Sequence, residues 1–137
     1  MFLDANVVLY AVGAPHPHRE ACVALLDSAR SGAVCLVLDA EVLQEILHVL
    51  VRRGKRSDAI LLVRRLMRGC SEVLHVTGAD LDEACSFVES LEGVSVRDAV
   101  HAAVMLRHGI RDIVSLDADF DRVPGLRRLT PADAARR

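Results

Sequence analysis

The apolar run Ala33-Val-Cys-Leu-Val-Leu38, bounded by Gly32 and Asp39, constrains the fold of this chain more than any other stretch. No polar residue interrupts it, so a strand made from it has no face to give to water and must be covered on both sides. Sheets covered on both sides are parallel and joined by helical crossovers, and the flanking sequence has that form. Phe2-Leu3 and Asp112–Leu116 read as further buried strands, Glu72–Val76 as another strand, and Leu126–Leu129 as a short edge strand. Between them lie segments of helical period: a short helix after Asp4 stopped by Gly13 and Pro15, Arg19–Ser31, Ala40–Arg53 capped by Asp39, and Ala79–Leu91 beginning near Asp80. Asp58–Arg68 is expected to be capped by Ser57 and ended by Gly69, and another helix starts at Ser95. Thr130-Pro131 opens a terminal helix. The expectation is one α/β domain over residues 1–137, with a mainly parallel four- to five-stranded sheet flanked by helices.

Composition narrows the class. Of 137 residues, 52% are hydrophobic, enough for a real core. No apolar run spans a bilayer, and Asp4 sits in the first apolar segment where a leader would carry basic residues, so a cytoplasmic protein with no membrane partner is expected. Cys22, Cys35, Cys70 and Cys85 form no C-x-x-C pair and read as reduced core residues rather than a zinc site. The net charge of −2 does not announce a nucleic-acid binder, but Arg52, Arg53, Lys55, Arg56, Arg64, Arg65 and Arg68 face the single acid Asp58 in one basic stretch. That stretch is either a solvated helical surface or a grip for phosphates. Aromatic residues are 3% and Trp is absent, which leaves little for base stacking.

The chemistry is densest between Ser95 and Asp121. Asp98 fits the third position after a Ser95 cap, yet on a helical wheel it falls between Ala102 and Met105 on an apolar arc. Arg97, His101 and His108 share a separate polar wedge, which makes His101 a polar-edge residue. The strand at Asp112 runs into Asp117, Asp119 and Asp121, which form either a solvated turn or part of a site. Asp4 ends the first strand in the same way. Glu45 lies at the edge of the buried arc of its helix, facing a cleft or pairing with Arg52 or Arg53, while Glu41 is farther from the arc and solvated. Asp4, Glu45, Asp98 and Asp117 are therefore expected to converge at the carboxyl edge of the sheet. Carboxylates so gathered must share protons or bind a hard divalent cation such as Mg²⁺ or Mn²⁺, suited to phosphodiester chemistry.

Other acid-based sites fit less well. An EF-hand loop reading of Asp117 onward places Arg122 where glycine is required and Arg128 where the closing glutamate belongs. A phosphoaspartyl site wants a second Asp where Asn6 stands, and a receiver domain wants a late lysine, whereas Lys55 is the only lysine. No phosphate-binding G-x-x-x-x-G-K-[ST] loop or G-x-S-x-G elbow is present.

With D-A-N-V-V-L-Y at Asp4–Tyr10, Glu45 within A-E-V-L-Q-E-I-L-H-V-L, D-A-V-H-A-A at Asp98–Ala103 and S-L-D-A-D-F at Ser115–Phe120, the chain resembles the PIN-domain family along essentially its whole length, and most of all its VapC-type toxins. The resemblance implies a single PIN domain and a Mg²⁺- or Mn²⁺-dependent ribonuclease whose carboxylates are Asp4, Glu45, Asp98 and Asp117. Asn6 and Ser115 would support them by hydrogen bonding, and Asp119 would be a second loop ligand or lie just behind Asp117. It further implies an RNA substrate, in-line hydrolysis leaving a 5′-phosphate, a homodimer and a cognate antitoxin. A PIN nuclease of RNA processing without an antitoxin, and a non-catalytic PIN-like scaffold, are the alternatives. Arg52 and Arg53 follow Glu45 at roughly 10 Å along the helix axis, and with Arg56 beyond them they are placed to hold RNA phosphates beside the cleft.

Overall fold

The computed structural model describes all of residues 1–137. Five strands form one fully parallel sheet: β1 (Phe2–Leu3), β2 (Val37–Asp39), β3 (Glu72–Leu74), β4 (Asp112–Val114) and β5 (Arg127–Leu129), in the spatial order β3-β2-β1-β4-β5. The helices are α1 (Ala5–Val12), α2 (Arg19–Arg30), α3 (Ala40–Arg52), α4 (Arg56–Gly69), α5 (Gly78–Ser90), α6 (Val96–Arg107) and α7 (Pro131–Ala134), with a 3-10 turn at Ala118–Arg122. No helix is long and apolar enough to cross a membrane.

The α/β architecture follows the sequence pattern, and the elements that differ do so for local reasons. The strand expected over Ala33–Leu38 pairs only from Val37 and runs to Asp39, because its ladder partner β1 is confined to Phe2–Leu3. The earlier residues are an extended approach, though Val34, Leu36 and Leu38 are buried as their run demands. α4 begins at Arg56 with Lys55 in the cap position and no side-chain cap, so Ser57 lies inside the first turn and does not cap it. α5 starts before Asp80: Thr77 accepts from the Asp80 amide, and Asp80 reaches back to the Thr77 amide at 2.7 Å. That reciprocal pair holds two of the amides that a helix start leaves unpaired.

The main core, built on Phe2, Leu3, Leu38, Ile113 and Val114 of the sheet, takes in Val7, Val8, Leu25, Ile46 and Met105 from the helices. A second apolar cluster joins Ala84 of α5 to Ala99, Val100, Ala102 and Ala103 of α6. α6 is thus covered on both sides, and every residue from Ala99 to Met105 is buried. His101 consequently does not occupy a polar edge; it is 1% exposed. The cysteines also divide: Cys22 is buried and Cys70 half-buried, but Cys35 and Cys85 are exposed and not core residues.

Candidate active site

The order of the sheet reverses between β1 and β4, because β2 and β3 lie to one side of β1 while β4 and β5 lie to the other. Open parallel sheets bind ligands beyond the carboxyl ends of the strands at such a switch point. The residues that follow the two strands there are Asp4 and Ser115.

Ser115, fully buried, joins three segments through one hydroxyl. It donates to Asp4 Oδ2 at 2.5 Å, accepts from Asn6 Nδ2 at 3.0 Å and accepts from the Asp117 amide at 2.9 Å. Asn6 Oδ1 in turn accepts from the Leu116 amide at 3.4 Å. Asp4 caps α1 with its other oxygen, accepting from the Asn6 amide. A short polar residue after each strand is therefore enough to fix the carboxylate of one strand end against the backbone of the other. Asp117 is held by the turn that follows, accepting from the Asp119 amide at 2.9 Å.

Asp98 enters from the first turn of α6, where Ser95 both accepts from its amide and donates to Oδ2 at 2.6 Å. The electrostatics show that these acids share a field. Burial pushes the Asp4 carboxyl up from 3.8 to about 6, against the pull of its Ser115 hydrogen bond, with the Asp98 charge adding to the rise. Asp98 is also raised, first by burial and then by the charges of Asp117 and Asp119. None of Asp4, Asp98 or Asp117 has an ion pair with Arg or Lys, whereas Asp119 meets Arg122 at 3.3 Å and Asp121 is taken by Arg128 at 2.7 Å. The loop acids thus separate into Asp117 and Asp119, which face Asp98, and Asp121, a surface ion pair.

Glu45 reaches the same rim but with a partner that the helical wheel did not offer: Arg97 Nη1 donates to Glu45 Oε1 at 2.5 Å, and neither Arg52 nor Arg53 pairs with it. Its neighbour Glu41 is half-buried and not fully solvated. Arg97 precedes Asp98 directly, so one helix start places a cation and a carboxylate side by side.

Beneath the acids lies a pair that inspection of the sequence missed. Asp39 uses Oδ1 to cap α3 at 2.8 Å from the Val42 amide and Oδ2 to meet His101 Nδ1 at 2.7 Å, both side chains being almost fully enclosed. Burial opposes the charged imidazole, but the Asp39 hydrogen bond and the charges of Asp39, Asp4 and Asp98 outweigh it, and the His101 pKa is raised. His101 Nε2 has no hydrogen-bond partner. The available signal was a lone His within A-V-H-A-A, a run otherwise small and apolar.

The donors that face this site are carboxylate and amide oxygens, the set suited to a hard cation. No three carboxylate, imidazole or thiolate groups already converge on one coordination point. The exposed cations Arg52, Arg53 and Arg56 surround the turn from α3 to α4, and Arg53 and Lys55 line a cavity that also reaches Asn6.

A parallel sheet with carboxylates gathered at its switch point is the arrangement of a PIN domain, and the sequence model of the PIN-domain family matches residues 1–126. The chain belongs to that family and, within it, to the VapC ribonucleases. It is 40% identical to ribonuclease VapC13 of Mycobacterium tuberculosis over 129 residues, covering 94% of this chain and 98% of that one. Its fold is similar to the crystal structure of Mycobacterium tuberculosis VapC20, a sarcin-ricin-loop-cleaving toxin, with a TM-score of 0.75 at 22% identity over 91% of this chain and 95% of that one. A toxin–antitoxin complex from Klebsiella pneumoniae matches with a TM-score of 0.68 at 11% identity, covering 95% and 96% of the respective chains.

Proposed function

We propose that this protein is a divalent-metal-dependent endoribonuclease toxin that hydrolyses RNA phosphodiester bonds and is neutralised by a cognate antitoxin. The observation that carries the reading is the gathering of Asp4, Asp98 and Asp117 at the sheet's switch point, none of them ion-paired with an arginine or lysine. Similarity to a VapC ribonuclease supports RNA as substrate, and similarity to toxin–antitoxin structures supports the protein partner. A homodimer fits the same family.

The residues fit Mg²⁺ or Mn²⁺. Mg²⁺ retains several waters and takes one or two carboxylates directly, so a loose set of acids is compatible with it even though no three donors converge beforehand. Asp4, Asp98 and Asp117 would hold the ion, with Asp119 as a further ligand or just behind. Bound there, the metal supplies water activation and neutralisation of the charge that develops on the phosphate. Ser115 and Asn6 keep Asp4 and Asp117 in register through their shared hydrogen bonds. Glu45, held by Arg97, would be the fourth carboxylate of the site. Arg52, Arg53 and Arg56 add phosphate contacts that carry no sequence information.

Two measurements test this reading. Mn²⁺ titrated against the wild type should raise its melting temperature by mass action, a stabilisation of about 2.7 kcal/mol at a hundred times Kd, and Asp98→Asn should shrink that shift. Equal shifts in the two proteins would remove Asp98 from the site. Co-expression with the adjacent upstream gene should abolish growth arrest and RNA cleavage. Cleavage that proceeds unaffected by any neighbouring gene product would favour a role in RNA processing.

A further inference from the structure

We propose that the cavity between α1 and the turn joining α3 to α4 is a nucleotide subsite, seating the base and phosphate of an RNA residue that adjoins the one cleaved at the carboxylates. The proposal rests on the ribonuclease reading and adds a place for substrate that the acids do not provide. The cavity measures about 530 Å³, within the range of small-ligand sites, and one of its walls is Asn6, already bonded to Ser115. It is therefore continuous with the candidate active site. Tyr10 follows Asn6 by one helical turn on the same face of α1, about 6 Å along the axis, a step on the scale of a single nucleotide.

Rings are scarce in this chain, which makes their placement informative. There is no Trp, Tyr10 is the only Tyr, and of the three Phe residues Phe2 and Phe120 are completely buried while Phe87 packs against the α5–α6 cluster. The rings left beside the cavity are the half-buried Tyr10 and the exposed His16 and His18. Tyr10 and His16 stack with centroids 4.1 Å apart and planes at 23°, and His18 follows at 5.3 Å. The low aromatic content suggested that base stacking had little to work with; the fold instead sets its one tyrosine, half-buried against the core, together with His16 in the lining of this cavity, and His18 stands behind His16. Stacking of this kind accepts any base, so it contributes affinity and positioning without base identity.

The opposite wall supplies charge. Arg53 and Lys55, the only lysine, both line the cavity, neither has an acidic partner, and no carboxylate lines it with them. Gly54 between them adopts φ +76°, a left-handed turn that presents the two cations together around the end of α3. A flat ring on one side and paired cations on the other match a base and its phosphate. A peptide helix of mixed charge would leave both cations or the ring stack unmatched.

The test uses fluorescence anisotropy with a short fluorescein-labelled RNA in EDTA, so that binding is read without cleavage. Tyr10→Leu and the double variant Arg53→Ala/Lys55→Ala should each bind roughly tenfold more weakly or worse, and the double variant should also lower the slope of the salt dependence by about two phosphate contacts. An abasic nucleotide placed at successive positions should reproduce the loss at one position in the wild type and add nothing to Tyr10→Leu. Circular dichroism checks that the variants are folded. Affinities that do not change, an abasic series that is flat, or an effect confined to antitoxin binding would each overturn the subsite. Binding that depends on Tyr10, combined with no cleavage when Mg²⁺ is restored, would leave the subsite standing and overturn the nuclease reading.

Discussion

Replacing Asp4 with Asn in metal-free protein should make the fold more stable at neutral pH and leave it unchanged in mild acid. Asp4 is 6% exposed, and its carboxyl holds its proton to about 6 where an unfolded chain releases it near 3.8. That gap corresponds to roughly 3 kcal/mol of stability, complete below the unfolded value and lost as pH rises through about 6. Above that window the wild type carries a buried charge held in place by the Ser115 hydrogen bond and the α1 cap. Asn is nearly isosteric and caps a helix as well as Asp does, but its single carbonyl oxygen cannot serve both the Asn6 amide and Ser115. The lost bond costs about 1 kcal/mol. The net expectation is a variant more stable by about 2 kcal/mol near pH 7.5 and about equal near pH 4.5. In urea unfolding with EDTA, the first figure is a rise of roughly 1 M in midpoint. A difference that is the same at both pH values, or a variant that is less stable at neutral pH, would show that Asp4 is not held charged at a cost. Saturating Mn²⁺ should reverse the order, because only the wild type then gains binding energy.

Two further outcomes follow from the same geometry. His101→Leu leaves the Asp39 carboxylate enclosed without its partner and should cost about 3–5 kcal/mol in urea unfolding, and combining it with Asp39→Ser should cost clearly less than the sum of the single changes; strict additivity would mean that the pair does not interact. Arg52→Ala/Arg56→Ala should flatten the salt dependence of RNA binding by about two phosphate contacts while the cut position stays the same; an unchanged slope would assign these cations to solvent or to the antitoxin.

Much of the site was legible because its residues are marked by what immediately surrounds them. Asp4 and Asp39 each end a strand-length apolar run, and Asp98 sits three residues after a serine cap, so local pattern alone placed them at strand ends or a helix start, whereas Ser115 was read inside its strand and only the structure sets it just beyond β4. The helical wheel misplaced His101 for an equally physical reason. A wheel presumes one solvated face, and the Ala99–Met105 stretch of α6 has none, since the sheet core covers one side and α5 the other.

The alternation of apolar runs and helical periods determined the α/β class, a sheet of four or five strands and the presence of acids at the carboxyl edge, because those depend on which residues neighbour one another along the chain. Tertiary structure alone decided who meets whom across it. Arg97 finds Glu45 at a separation of 52 residues, His101 finds Asp39 at 62, and Ser115 finds Asp4 at 111. The cavity that sets Tyr10 opposite Arg53 and Lys55 belongs to the same category. Each pairing depends on the strand order β3-β2-β1-β4-β5 and on how helices pack over it, and hydrophobic period carries no information about that order, since any arrangement that buries the same faces satisfies it equally.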